Sequence, residues 1–278
     1  MDNFYYLEYQ PDDVKFLVAS HVRMKILLSL YDGPKKLGYL REVTGIASST
    51  LIHGLRQLEE KKWLYRKGDN SHLTSKGKVV LLNLIKLMEK LETFDNQLNF
   101  WKNHNLSGIP LELQKDIDAL RESYLVEVTL DNLEEPFTRY MQMLSEAKNM
   151  NAVLPVFFSR HTDSIHRVLK KGGTAKLILA EDIFKQFIEQ FNMEELKKYI
   201  KSGDMEIMVI SDLDVACVVS DIFVSLGLFF EDGIYDTSRL LMGHDMESLK
   251  WGNKLFQYYE SNGKKVDLKT IKQLEENY

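Results

Sequence analysis

Cysteine is almost absent: Cys217 is the only one among 278 residues. A disulfide framework within the chain is thereby excluded, and a reducing compartment is expected. Long hydrophobic runs are missing too. The longest apolar stretch, VACVVSDIFVSLGLFF over 215–230, is interrupted by Ser220, Asp221 and Ser225 and is too short to cross a bilayer as a helix. The opening MDNFYYLEYQPDD is aromatic and acidic, without the basic-then-apolar order of a signal peptide. A cytoplasmic protein with no membrane partner is expected.

The short signatures of enzyme chemistry are lacking as well. Phospholipase-type catalysis needs a His-x-Lys pair, the His attacking phosphorus and the Lys steadying the phosphate. The histidines at 21, 53, 72, 104, 161, 166 and 244 are followed two residues later by Arg, Leu, Thr, Leu, Asp, Val and Met. Gly33 and Gly38 have the spacing of a phosphate-binding loop, but Tyr39 stands where its Lys belongs. No GxGxxG, CxxC or Gly-x-Ser-x-Gly occurs. Neither an enzyme nor a bound cofactor is expected.

What is present is an uneven charge. The whole chain carries a net −5, yet residues 1–105 hold 16 Lys/Arg against 12 Asp/Glu. The excess is concentrated within 35–78, where 10 basic residues face 4 acidic ones. A basic nucleic-acid module joined to an acidic partner domain has this asymmetry.

Inside the basic stretch lies TGIASSTLIHGLRQL (44–58). Leu51, Leu55 and Leu58 keep helical spacing and mark one buried face. Ser48, Ser49, Thr50, His53, Arg56 and Gln57 fall largely elsewhere, although Glu, Lys and Gln would make a better solvated helix face. Such side chains can reach base edges or phosphates from a helix in the major groove. Helical spacing over 14–31, 36–43 and 48–62 is followed by strand-like 63–66 and 71–74 around Lys67-Gly68-Asp69-Asn70. Helix, helix, turn, helix, hairpin is the order of a winged helix-turn-helix. The hairpin carries Arg66, Lys67 and His72, placed to touch flanking phosphates.

Residues 76–103 read as one long helix. Val80, Leu84, Leu87, Leu91, Phe94, Leu98 and Trp101 step by four and three, a heptad seam suited to joining two copies. Asn103–Pro110 then breaks the helix. Beyond it strand-like segments (123–130, 151–158, 174–180, 204–211) alternate with helical ones (135–148, 163–171, 182–191, 193–202). Strands at 215–220, 222–230 and 238–242 and a helix over 245–262 close the chain. Such alternation implies βαβ units and a mixed, largely parallel sheet.

The stretch LREVTGIASSTLIHGLRQLEEKKWLYRKGDNSHLTSKGK resembles the winged-helix modules of ArsR- and MarR-like prokaryotic regulators. In those a helix opening on hydroxyls is followed by Leu-Glu-Glu-x-x-x-Leu and by Leu-Thr-x-x-Gly at the wing exit. This chain matches with Thr50, Leu58-Glu59-Glu60, Leu64 and Leu73-Thr74-Ser75-Lys76-Gly77, and departs with Lys62 and Trp63, where Gly and an apolar residue are usual. The whole chain, including IPLELQKDIDALRESYLVE, is similar to archaeal two-domain regulators of methanogens. The resemblance implies a C-terminal regulatory domain with a fold like half of a phospholipase D.

Three expected strand ends in the acidic domain carry polar groups: Ser159-Arg160-His161, Glu181-Asp182 and Ser211-Asp212. Ligands of open α/β sheets bind beyond such ends, and Arg160 and His161 before a helix would suit a small anionic effector. The alternative is solvated loops. Within 159–166 the His and Asp spacing admits a metal, against a polar loop in which Thr162 or Asp163 caps a helix; the loop is favoured and no metal is assigned. Cys217, between Ala216 and Val218, reads as an inert buried thiol.

The sequence therefore leads us to expect an α+β winged helix-turn-helix DNA-binding domain over 1–75, a connecting and dimerising helix over 76–105, and an α/β regulatory domain over 106–278. The expected function is that of a homodimeric transcriptional regulator of double-stranded DNA. The alternatives are an interaction module without DNA binding and a degenerate phospholipase-D-like hydrolase.

Overall fold

The computed structural model describes residues 12–271, so the outermost parts of the expected 1–75 and 106–278 domains lie outside the described residues. The chain divides into two compact units between Met88 and Glu89. The division falls inside a helix, not at the expected break over 103–110.

In the first unit, α1 (Asp12–Val18) and α2 (His21–Ser29) replace the single helix expected over 14–31. The reason is Ser20, extended at φ −141°, whose hydroxyl accepts from the Arg23 amide and starts a second helix. A two-residue strand β1 (Lys35–Lys36) leads into α3 (Leu37–Thr44) and α4 (Ser48–Glu60). Between the last two, Gly45 turns left-handed at φ 68° and buried Thr44 donates its hydroxyl to the Leu40 carbonyl at 2.6 Å. Strands β2 (Leu64–Lys67) and β3 (Asn70–Leu73) form the hairpin, and β1 pairs with β3 to give the order β1-β3-β2. Leu51, Leu55 and Leu58 sit in a core with Ile26, Leu27, Leu40, Trp63 and Leu64.

Two local devices explain the signature residues. Helix α4 ends with the Trp63 amide donating to Leu58 O and the Lys62 amide to Glu59 O, and Lys62 takes φ 61°. That is a Schellman ending with lysine where glycine fits best. Thr74 then donates to the Lys62 and Trp63 carbonyls and accepts from the Gly77 amide, starting α5 (Ser75–Asn96). Gly77 is packed so tightly that an added Cβ would lie 2.0 Å from the Trp63 carbonyl oxygen.

Helix α5 stops at Asn96, and Leu98–Trp101 forms a separate turn, α6. The heptad seam is accordingly not one free face. Leu84 joins the first unit's core and Val80 packs on it, while Trp101 lies in the second unit's core with Phe94 against it. Leu87, Leu91 and Leu98 are the seam positions that remain exposed, at 52, 55 and 53%. The seven-residue repeat arises because two different cores each claim part of it.

The second unit continues through β4 (His104–Asn105), α7 (Leu111–Gln114), a 3-10 turn (Ile117–Leu120) and β5 (Tyr124–Glu127). Then come α8 (Glu135–Glu146), β6 (Asn149–Leu154), α9 (Ser159–Lys170), β7 (Thr174–Ala180), α10 (Glu181–Glu189), α11 (Met193–Ser202) and β8 (Met205–Ile210). Strands β9 (Val215–Ser220), β10 (Val224–Phe230) and β11 (Arg239–Gly243), helix α12 (Met246–Asn262) and β12 (Lys264–Lys265) complete it. The sheet runs β12-β8-β7-β6-β9-β10-β11-β5, with β4 on β10. Only β6-β7-β8 are parallel among the described strands; every other pairing is antiparallel. The sheet is thus mixed but not largely parallel. Helix crossovers follow β6 and β7, whereas β9, β10 and β11 return by short loops, which force opposite directions.

The expected linker over 76–105 is corrected at its C-terminal end. His104 is buried, with Nδ1 against the Phe100 carbonyl and Nε2 3.0 Å from the Asp236 carboxylate, both of them acceptors, and it stacks on Phe230. Trp251 Nε1 donates to Leu113 O at 3.0 Å and Tyr259 to Gly108 O at 2.5 Å, fastening the following residues to α12.

Two substitutions test the α4–α5 junction by thermal unfolding. Lys62→Gly relieves the left-handed lysine and is expected to stabilise by about 1 kcal/mol. Gly77→Ala pushes a methyl into a fixed carbonyl and is expected to cost about 2–3 kcal/mol.

Candidate nucleic-acid interface and effector residues

Helix α4 buries Leu51, Gly54, Leu55 and Leu58. Gly54 faces side chains of α2: an added Cβ would meet Ile26 at 2.8 Å and Val22 at 3.1 Å. With that seam fixed, Ser49, Thr50, His53 and Arg56 are exposed and Ser48 half-buried. No side chain caps the helix at Ala47, so the first-turn amides face outward beside the hydroxyls, a ready seat for a phosphate.

The polar residues are not equally free. Gln57 is half-buried; its Oε1 accepts from Arg23 at 2.8 Å and its amide nitrogen lies 3.0 Å from His53 Nε2. Its role is to hold His53 in place more than to reach outward. Arg56 pairs with Glu60 at 3.0 Å, both largely in solvent, and Arg66 with Glu59 at 3.6 Å, both partly exposed. Lys67, at the hairpin tip, is exposed. His72 is half-buried and stacks on its cross-strand partner Tyr65 at 5.0 Å. The sequence reading missed Ile52, 46% exposed between Leu51 and His53. An apolar residue off the 51-55-58 seam was its signal, and such a side chain suits a thymine methyl group.

The expected effector residues separate. Glu181 and Asp182 open α10 in solvent, and Ser211 and Asp212 are exposed after β8. Only Arg160 and His161 line the cavity of about 570 Å³ in this unit. Ser159 begins α9, four residues before the expected start at 163. Neither Thr162 nor Asp163 therefore caps the helix; instead His161 Nδ1 accepts from the Phe158 amide at 3.5 Å. Arg160 is already paired with Glu134 at 2.9 Å. Among the described residues no three His, Cys, Asp or Glu side chains converge to hold a metal, and no helix is long and apolar enough to cross a membrane.

His161 lies within 5.4–6.1 Å of the rings of Phe137, Tyr140, Phe157 and Phe158. Burial among them holds its pKa down to about 4. Burial also pushes the Cys217 thiol up to about 12, which leaves it unreactive. Because the folded value for His161 is depressed, the unfolded chain takes up a proton below pH 6.5 that the fold refuses until about pH 4. Stability from this group is therefore complete above pH 6.5 and lost as pH falls toward 4, by up to about 1.4 kcal/mol per pH unit. Urea midpoints across pH 7 to 4 are expected to drop less steeply in His161→Gln.

Comparison with known proteins follows the two units. Residues 11–92 match the model of the N-terminal domain of the methanogenesis regulatory protein FilR1, and residues 133–262 match that of its middle domain. FilR1 of Methanothrix harundinacea (strain 6Ac) is 28% identical over 260 residues, covering 91% of this chain. The chain spans 58% of that relative's length. Among solved structures, the archaeal chromatin protein TrmBL2 is 16% identical at TM-score 0.43, over 92% of this chain and all of its own. Phosphatidylserine synthase of Haemophilus influenzae Rd KW20 is 12% identical at TM-score 0.40, over 52% of this chain and 39% of its own. Those structural overlaps are too low to bear on function. Both domains are matched in their order, so the chain is similar to the methanogenesis regulatory protein FilR1 in its N-terminal and middle parts.

Proposed function

We propose that the chain is a DNA-binding transcriptional regulator, with a winged helix-turn-helix formed by α2–α4 and the β2–β3 hairpin. The observation that carries this reading is the exposed face of α4, with Ser49, Thr50, Ile52, His53 and Arg56 turned to solvent and Lys67 on the hairpin beyond it. Similarity to two domains of a regulatory protein supports it. In this reading α4 enters the major groove, its uncapped first turn and Ser49 take a phosphate, and His53 and Arg56 meet base edges. Lys67 and Arg66 contact the flanking backbone. The protein acts as a homodimer whose two α4 helices enter successive major grooves. The exposed Leu87, Met88 and Leu91 of α5 supply the apolar contact between copies. The acidic second unit modulates DNA affinity and is not itself an enzyme.

The test is a binding isotherm of the full chain on a duplex recovered by mapping its bound genomic sites. Log affinity is expected to fall linearly with log salt, and Lys67→Ala to reduce the slope by about 1. An affinity indifferent to salt refutes the reading in favour of a protein-interaction module. His53→Ala is expected to change which sequences bind; uniform weakening on all duplexes would restrict it to the backbone. Leu91→Lys is expected to give monomers by light scattering, and a surviving dimer would remove α5 from the interface.

A further inference from the structure

The cavity of the second unit has features that DNA binding does not use. It opens beyond the carboxyl end of β6, where the sheet changes direction: β6 is parallel to β7 on one side and antiparallel to β9 on the other. Ligands of open sheets settle at such a switch. Its volume of about 570 Å³ matches that of small-molecule sites. The walls are mainly apolar, with Phe137, Phe157 and Phe158 on the helix side and Cys217 and Leu240 on the sheet side.

Four hydrogen-bonding side chains line this space: among the described residues the hydroxyls of Tyr140, Tyr235 and Ser225 have no hydrogen-bond partner, and His161 has one only at Nδ1. Tyr140 and His161 are more than nine-tenths buried, as is Ser225, and Tyr235 is half-buried. Hydroxyls and a ring N–H that line one mainly apolar cavity without a protein partner suit a molecule that accepts their hydrogen bonds. All four remain uncharged near neutral pH. Burial raises the Tyr140 and Tyr235 phenols well above their ordinary value and keeps His161 neutral. With Nδ1 accepting from the Phe158 amide, His161 carries its proton on Nε2.

The charges on the wall are already matched. Arg160 holds Glu134 at 2.9 Å, and Arg239 holds Asp236 at 3.2 Å. Asp236 also takes bonds from Ser238 and contacts His104. The Arg160–Glu134 pair is solvent-exposed and weak, but an anion at Arg239 would have to displace the buried carboxylate of Asp236. A neutral acceptor displaces nothing, and the interior of the cavity favours one over the anion that Arg160 suggested in the sequence.

We propose that this cavity binds a small uncharged molecule with an aromatic body and one or two hydrogen-bond-acceptor oxygens, which Tyr140, Tyr235, His161 and Ser225 grip. The proposal rests on the regulatory reading only in its consequence, a change of DNA affinity on binding.

The full chain without DNA is titrated with 6-propionyl-2-dimethylaminonaphthalene, a neutral naphthyl ketone that brightens and shifts blue in apolar surroundings. Saturable binding is expected. 2-Acetylnaphthalene is expected to displace it, and 2-naphthoate, the matched anion, to do so at least tenfold more weakly. Ala216→Trp, which fills the cavity from β9, is expected to abolish binding. Tyr140→Phe is expected to weaken it about three- to tenfold with an unchanged unfolding midpoint. If Ala216→Trp fails to fold by circular dichroism, Tyr140→Phe decides. No saturable binding, or binding that neither variant alters, overturns the site; equal displacement by 2-naphthoate overturns its preference for neutral ligands. Adding 2-acetylnaphthalene to the DNA titration separates the two readings. Probe binding without a shift in DNA affinity keeps the site and removes the coupling, while failure to bind DNA leaves the probe result standing.

Discussion

The first unit depends on one packing constraint: Leu51, Leu55 and Leu58 must leave water for the core that Ile26, Leu27 and Leu40 share. Each such side chain contributes roughly 1.5–3 kcal/mol when fully buried. Together they far exceed anything the exposed polar residues of α4 contribute to folding. Those residues are therefore spectators of stability. Their direction is dictated by the leucines, and Gly54, which lets α4 lie close on α2, keeps the orientation fixed. The chain can thus present poor helix formers, two serines, a threonine and a histidine, along a helix that is nonetheless well held.

The same separation governs charge. Arg56 with Glu60, Arg66 with Glu59 and Lys36 with Asp69 are exposed pairs. Pairs of this kind contribute about 0–1 kcal/mol and weaken with salt. They do not lock their cations, and a phosphate arriving at α4 or the hairpin competes for them at little cost. In the second unit the balance is the opposite. Asp236 sits with its carboxylate buried, and burial by itself would raise its pKa. Bonds from Ser238, the His104 contact and the charge of Arg239 outweigh that and hold it below the usual carboxylate range. Removing one partner there leaves a buried charge exposed to its full desolvation penalty.

Legibility in the sequence followed the range of the interactions. The α3–α4 turn, the hairpin and the strands β7 and β9 are set by local spacing and by Gly45, Gly68 and Gly172, and could be read directly. Long-range pairing could not. The antiparallel docking of β9 on β6, with Val153 opposite Cys217, leaves no periodic mark. The two-residue β4 is too short to carry a period, and His104 finds Asp236 132 residues away. The heptad in α5 misled for a related reason, since a repeat records that apolar residues share a face but not which core receives them. The cavity was half legible. Arg160 and His161 stood out as polar residues at a strand end, but Tyr140, Ser225 and Tyr235 come from three other segments.

How a ligand in that cavity would reach the first unit, for which DNA binding is proposed, is a question of magnitudes. Asp236 forms part of the cavity wall and contacts His104, whose other ring nitrogen meets the Phe100 carbonyl in α6, immediately after α5. Helix α5 itself places Leu81 and Leu84 in the first core and Phe94 against the second. A tenfold change in DNA affinity requires a ligand preference of about 1.4 kcal/mol for one arrangement of these elements over another. A hydrogen bond to a charged group contributes about 1.5–3 kcal/mol. Remaking a single bond at Asp236 is therefore enough, and a ligand that leaves the Asp236–His104 contact unchanged has no such lever there, however tightly it binds.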